Sequence, residues 1–178
     1  MHTAIDVIRR LHAHRRWFRE KMIAATRLLT PEQQRAHFAM GPGGVFALLA
    51  HCCAAERLWL AMVEGGDPTT PFSPLDENAT IEALVAQWSD AEARWERFLA
   101  AVTVADLARP ITRVREGKAY TSSLGDVLLH VCTHQMYHAA QFKNMLRQLG
   151  VTDQPMSDYI VYAREIWSDS GTEKARGH

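Results

Sequence analysis

The chain has 178 residues and a mass of 20.1 kDa, which suits one domain and is short for a two-domain nucleotide-binding enzyme or a (β/α)₈ barrel. Hydrophobic residues make up 47% of it and charged residues 22%, a balance that argues against a disordered chain. Its 20 Lys and Arg residues equal its 20 Asp and Glu residues, so the overall charge predicts neither a nucleic-acid partner nor an anionic membrane surface.

The cysteines and the apolar segments favour a soluble protein of the cytoplasm. Cys52, Cys53 and Cys132 are odd in number and form no CxxC motif, so we expect neither a disulfide framework nor a cysteine zinc site. We interpret Cys52 and Cys132 as small buried hydrophobic residues. The N-terminal segment lacks the apolar core of a signal peptide, and the most apolar stretch, residues 45–63, contains charged residues that are costly in a bilayer. No membrane partner is expected.

Apolar residues recur every three or four positions in four segments, which predicts four amphipathic helices. The first predicted helix covers residues 4–30, where Thr3 and Asp6 resemble a capping box and a proline follows the last residue. The second runs from about residue 44 to residue 63. It lies between a glycine- and proline-rich cluster and a glycine pair, both of which are typical of helix boundaries.

The second half of the chain contains the other two long helices and one extended segment. A proline-rich loop over residues 67–78 leads to the third predicted helix, 80–101. Residues 109–121 are predicted to form a short hairpin or an extended crossover. The fourth helix, 122–149, begins at a serine cap and ends at a glycine, and a shorter fifth helix follows over 157–168.

These elements predict an all-α fold: a four-helix bundle with long crossover connections, a short hairpin before the fourth helix and a short C-terminal helix. We expect a single domain over residues 1–168 and a flexible tail over 169–178. Basic residues dominate positions 1–30 and acidic residues dominate 64–96. Our first interpretation is two solvated faces; attraction between the first and third helices comes second, and a nucleic-acid surface comes last.

The placement of the histidines is the main functional signal. His130, His134 and His138 are four residues apart and therefore share one stripe of the fourth helix. Neighbours in this stripe are about 6 Å apart along the axis and can share one metal ion, whereas the first and last are about 12 Å apart and cannot. The spacing leaves open which neighbouring pair binds. His51, in an apolar stretch of the second helix, is the candidate for a further ligand.

The chain resembles the DinB-like (DinB/YfiT) family of four-helix metalloproteins over nearly its whole length. The shared motifs are His-x-x-x-x-Glu followed by Trp (His51, Glu56, Trp59), His-x-x-x-His-x-x-Gln (His134, His138, Gln141) and a closing Asp-Tyr-x-x-Tyr-x-Arg-Glu that includes Tyr159 and Arg164. The resemblance implies a metal triad of His51, His134 and His138, with His130 beside it. Many members begin the second helix at a serine cap, where this chain has two glycines.

Other residues are expected to support the site. Glu56 lies about 140° around the helix from His51, so we expect a salt bridge or contact with a ligand side chain rather than metal binding. Gln141 either orients a histidine or a bound water, or packs as an ordinary helix residue. Arg15, at an inward position, either reaches out to solvent or presents its guanidinium to an anionic substrate. The candidates for binding a small-molecule cofactor or substrate are Arg15, Tyr159 and Arg164.

A divalent ion with three neutral ligands can lower the pKa of a coordinated water or thiol towards neutrality. Relatives in the family include S-transferases and isomerases that use bacillithiol, mycothiol or glutathione. The resemblance therefore implies, as the first hypothesis, a transferase that uses a low-molecular-weight thiol and a zinc or nickel ion. The alternatives are a metal-dependent hydrolase with the same site and a non-catalytic metal-binding stress-response protein.

A homodimer is also expected, mainly from the resemblance. The opposite charges of the first and third predicted helices give it weak further support, because they could pair across a two-fold axis. The other expected partner is a small-molecule substrate.

Overall fold

Four long helices follow the four amphipathic segments of the sequence, and the expected all-α bundle is confirmed. The structure, a computed structural model, describes residues 3–166. Its elements are α1 (Ala4–Arg27), α2 (Pro31–Arg35), α3 (Val45–Val63), α4 (Ile81–Ala101), a 3-10 turn (Ala105–Ala108), β1 (Pro110–Arg115), β2 (Lys118–Ser123) and α5 (Leu124–Gln148). A last helical segment covers residues 159–166. The end of the predicted fifth helix and the tail predicted at 169–178 lie outside the described residues.

Side-chain caps determine where the first two helices begin. The Thr3 hydroxyl accepts from the backbone N–H of Asp6, whose carboxylate accepts from the backbone N–H of Thr3, so the predicted capping box is present. The first helix ends earlier than predicted, because a second capping box, formed by Thr30 and Gln33, starts the short helix α2. Pro31 occupies the first position of α2, where its missing N–H costs nothing.

The extended segment before α5 is a two-stranded antiparallel hairpin, which decides between the two predicted alternatives. Its two-residue turn, Glu116 and Gly117, has positive φ at both positions (53° and 73°), as tight hairpin turns require. In the register of the strands, Arg113 lies opposite Tyr120. Ile111 is buried and attaches the hairpin to the core cluster that contains Trp95.

The helix α3 is the most buried element of the bundle. It is long and apolar enough to cross a membrane, but 72% of its most apolar stretch is buried inside the bundle. Its buried side chains pack with Trp88 and Trp95, two fully buried residues of α4, in two hydrophobic clusters. This burial is typical of the core helix of a soluble bundle.

A network of buried charges connects the four long helices. Arg15 of α1 is fully buried and donates to Glu56 of α3 and, at 2.8 Å, to Glu92 of α4. Arg19 also donates to Glu92, at 2.7 Å. From α5, the side-chain amide of Gln135 donates to the backbone carbonyl of Arg15 at 2.9 Å. Each helix therefore contributes a polar group at the same level of the core.

This network corrects one expectation from the sequence. Arg15 neither reaches solvent nor faces a substrate, because two buried carboxylates hold its guanidinium. Glu56 forms the salt bridge that was expected of it. The opposite charges of α1 and α4 also attract each other within the chain, since Arg16 pairs with Glu96 at the surface. The second interpretation of the charge distribution, attraction between the two helices, therefore holds for this pair. The first, two solvated faces, holds as well, because both side chains are exposed.

We predict that Arg15→Met lowers the free energy of unfolding by about 3–5 kcal/mol, because it leaves buried carboxylates without their main cation. Urea denaturation followed by circular dichroism measures this loss. The matched control is Arg16→Met on the next residue, whose pair with Glu96 is exposed, so a change within about 1 kcal/mol is expected. Equal losses from the two variants would contradict a special role of the buried network.

Candidate metal centre

Two helices bring three histidines together inside the bundle. His51 comes from α3, and His134 and His138 come from consecutive turns of α5. The Nε2 atom of His134 lies 3.3 Å from Nε2 of His51 and 3.2 Å from Nε2 of His138. One ligand atom from each ring lies within 4.8 Å of the others. The structure therefore groups the His134 and His138 pair with His51, a choice that the spacing alone left open.

The distances between these nitrogens fit a shared metal ion. Two nitrogens that each lie 2.0–2.1 Å from a tetrahedral ion are about 3.3 Å apart, close to the separations found here. Hydrogen bonds among the three rings cannot satisfy all of them. Nδ1 of His138 donates to the amide oxygen of Gln141 at 2.8 Å, which leaves Nε2 of the neutral ring without a proton. Nε2 of His134 then has at most one proton for two neighbours, whereas a cation satisfies all three nitrogens.

Gln141 orients one of the candidate ligands. Its amide oxygen accepts from His138, and its amide nitrogen donates to the hydroxyl of Tyr137 at 3.2 Å. Such contacts fix the tautomer and direction of a metal-binding imidazole. Of the two alternatives for Gln141, the structure shows the orienting contact.

A glycine in the loop before α3 makes room for Gln141. Gly41 has φ +49°, and an added Cβ would collide with the side-chain amide, lying 2.9 Å from Cδ of Gln141. The sequence indicated only that the glycines of this loop break a helix. Two glycines stand where the family resemblance would place a serine cap. One of them, Gly44, is the N-cap of α3 and provides no side-chain hydrogen bond.

Electrostatics keep the three rings in the neutral form that binds metals. Burial, together with the neighbouring rings of His138, His51 and His130, lowers the pKa of His134 to about 4. Burial also lowers the pKa of His51 and of His138. Above their ordinary pKa near 6.5 all three rings are therefore neutral, and protons do not compete with an ion.

Aromatic side chains surround the three histidines. The ring of Phe72 lies 5.1 Å from the ring of His51, and the ring of Tyr137 lies 5.1 Å from that of His138. On the turn of α5 that precedes His134, His130 is exposed, and its ring lies 5.5 Å from that of His134. His130 therefore adjoins the group but is not one of its three members.

The remaining predicted site residues lie in different places. The ring of Tyr159 packs 5.3 Å from that of His14 on α1, and Arg164 is an exposed residue of the segment 159–166. That they bind a cofactor stays a prediction. Glu56 lines a narrow cleft together with His134, and its Oε1 atom is buried without a hydrogen-bond partner among the described residues.

The cysteines are free and buried, as expected. Burial raises the pKa of Cys53 and Cys132 to about 12 and raises that of Cys52 well above its ordinary value. All three thiols are therefore protonated at neutral pH, and none of them has the thiolate character of a nucleophile.

Comparisons with known proteins are consistent with this fold. A family model described as the DinB superfamily matches residues 14–142, a segment that includes all three grouped histidines. The chain is similar to a solved structure, a DinB-like protein from Bacillus cereus ATCC 10987, with 18% identity and a TM-score of 0.57. That match covers 78% of this chain and 89% of the other. At this sequence identity it shows a similar fold and nothing more. No curated protein matches the sequence.

We predict that His51→Ala, His134→Ala and His138→Ala each remove most of the bound metal, because two imidazoles hold an ion far more weakly than three. His130→Ala is the matched control and should retain most of it. Metal analysis of protein purified without a histidine tag gives the stoichiometry. Equal loss from the His130 variant, or full retention by the His138 variant, would contradict the assignment.

Proposed function

Because the chain belongs to the DinB superfamily, we propose that it is a metal-dependent transferase that joins a low-molecular-weight thiol to an electrophilic small molecule. The observation that carries the proposal is the convergence of three neutral imidazoles on one point. His51, His134 and His138 would hold one zinc or nickel ion. When bound, the ion supplies Lewis acidity, which makes a small thiol nucleophilic at neutral pH.

The properties of the chain's own cysteines favour a thiol nucleophile that is not part of the protein. Cys52, Cys53 and Cys132 are buried and stay protonated at neutral pH, so they are unsuited to attack a substrate. A thiol reaction at this site therefore needs a diffusible thiol. In the reaction, the sulfur bonds to the electrophilic carbon, the leaving group departs with the electron pair of its bond, and the thiol proton passes to solvent.

The residues around the histidines have binding and orienting roles in this proposal. Gln141 holds the ring of His138 in the tautomer whose Nε2 is free. Phe72 and Tyr137 provide apolar surface beside the histidines, which suits the carbon skeleton of an electrophile.

Hydrolysis is the second candidate function, and the same three histidines favour it. An ion with three neutral imidazole ligands would also make a bound water nucleophilic at neutral pH. Glu56 is no base for this reaction, because its carboxylate is buried and paired with Arg15. A hydrolase would need no thiol, and this difference separates the two candidates.

We predict that turnover of a general electrophile such as 1-chloro-2,4-dinitrobenzene requires both the metal and a thiol. The assay follows conjugate formation by absorbance with zinc- or nickel-loaded protein and with glutathione, bacillithiol or mycothiol. His134→Ala should abolish turnover, and His130→Ala should retain it. Cleavage of esters or amides without a thiol would contradict the transferase proposal and support a hydrolase. The absence of any turnover by metal-loaded protein would leave a non-catalytic metal-binding role.

We also propose that the protein is a cytoplasmic homodimer. The dimer now rests on the family resemblance, because the charges expected to pair across a two-fold axis pair within the chain, as in Arg16 with Glu96. Light scattering at micromolar concentration should give twice the chain mass of 20.1 kDa. A value equal to the chain mass would refute the dimer.

A further inference from the structure

A cavity of about 360 Å³ lies between α3 and the β-hairpin. Trp59 of α3 contributes to its lining, and the β-hairpin contributes the others that matter here: Ile111, Arg113, Arg115, Tyr120 and Ser122. The cavity therefore combines apolar surface with two guanidinium groups, two hydroxyl groups and one carboxylate, that of Glu116. This composition is typical of a site for a small organic anion.

The alternation of side chains in the hairpin accounts for this lining. Successive residues of a strand point to opposite faces, so Arg113 and Arg115 share a face of β1 with Ile111. Their cross-strand neighbours belong to the same face, since Arg113 pairs with Tyr120 in the register of the sheet. One face of the hairpin thus presents its polar and charged side chains to the cavity.

Arg113 is the most distinctive residue of the cavity. Its guanidinium lies over the ring of Trp59, 5.9 Å from the centroid. Its Nε atom is buried against the protein and donates to no partner among the residues that the structure describes. The rest of this half-buried side chain lines the cavity, where a ligand would accept hydrogen bonds from the guanidinium.

The charge of the cavity favours an anion. Arg115 donates to Glu116 at 3.2 Å, and this carboxylate also lines the cavity. That pair is neutral overall, which leaves the charge of Arg113 uncompensated within the lining. Lys118, the cross-strand neighbour of Arg115, adds a further positive charge over the ring of Tyr120. A carboxylate matches a guanidinium in charge and in its planar, two-oxygen shape.

Ring contacts link the wall of the cavity to the three grouped histidines. The ring of Trp59 lies 5.3 Å from that of His130, which in turn lies 5.5 Å from the ring of His134. Two ring contacts therefore separate the wall of the cavity from a candidate metal ligand.

We propose that this cavity binds the carboxylate end of a small organic molecule, with Arg113 as the main donor and Trp59 as the apolar wall. The inference deepens the proposed function, on which its biological meaning rests: the carboxylate would belong to the thiol or to the electrophile. It also assigns to the hairpin the anion-binding role that the sequence suggested for Arg15.

The test uses benzoate and benzamide, which have nearly the same shape but differ in charge. Both are titrated by calorimetry into metal-free, full-length protein, so that a carboxylate cannot coordinate to an ion. Benzoate should bind about tenfold or more tightly than benzamide. In Arg113→Gln, benzoate should lose at least this tenfold advantage in affinity. The control is Arg147→Gln in the last turn of α5, an exposed residue that should leave benzoate affinity unchanged.

Each result either supports or overturns the inference. Equal binding of the two probes to the unaltered protein, no binding of benzoate, or full benzoate affinity in Arg113→Gln would overturn it. The comparison of probes on the unaltered protein stands even if a variant folds poorly. Because metal and turnover play no part in the measurement, failure of the transferase proposal leaves this result intact. If both hold, Arg113→Gln should raise KM for the carboxylate-bearing reactant and change kcat by less than about twofold.

Discussion

The pairing of Arg15 with two buried carboxylates is the constraint on which the site depends. A buried charge is tolerated only with its partners at hydrogen-bond distance, so the contacts of Arg15 with Glu56 and Glu92 favour one register of α1, α3 and α4. Gln135 extends the same constraint to α5. A slip of one helical turn, about 5.4 Å, would separate histidine nitrogens that now lie 3.3 Å apart. The network in the core therefore holds the α3 and α5 ligands in register.

Glu56 connects this network directly to the site. Its Oε2 accepts from Arg15 and from the indole N–H of Trp88, and the residue lines the narrow cleft that His134 also lines. In the motif His-x-x-x-x-Glu, the histidine is therefore a candidate ligand and the glutamate is an anchor in the core. The angle of about 140° between the two positions on the helix explains why they have different roles.

Local patterns predicted most of the fold and part of the site. Periodicity and caps indicated the four helices and the hairpin, and the four-residue spacing of the histidines indicated a metal-binding stripe. The partner of Arg15 on α4 was not predictable, because the contact joins residues 77 positions apart and depends on how the helices pack. The role of Gly41 was missed for the same reason. A glycine motif reveals a turn, but it does not reveal that the turn closes on Gln141.

The charges around the site point to an anionic reactant. The three grouped ligands are neutral, and the nearby carboxylate of Glu56 is paired with Arg15, so little negative charge of the protein would offset a divalent ion. The cavity at the hairpin, two ring contacts away, adds the charge of Arg113, which is uncompensated within the lining. Positive potential in a partly buried site stabilises anions more than it would in water. A thiolate with a carboxylate in the same molecule would match both parts of this field, which links the chemistry proposed at the histidines to the recognition proposed at the hairpin.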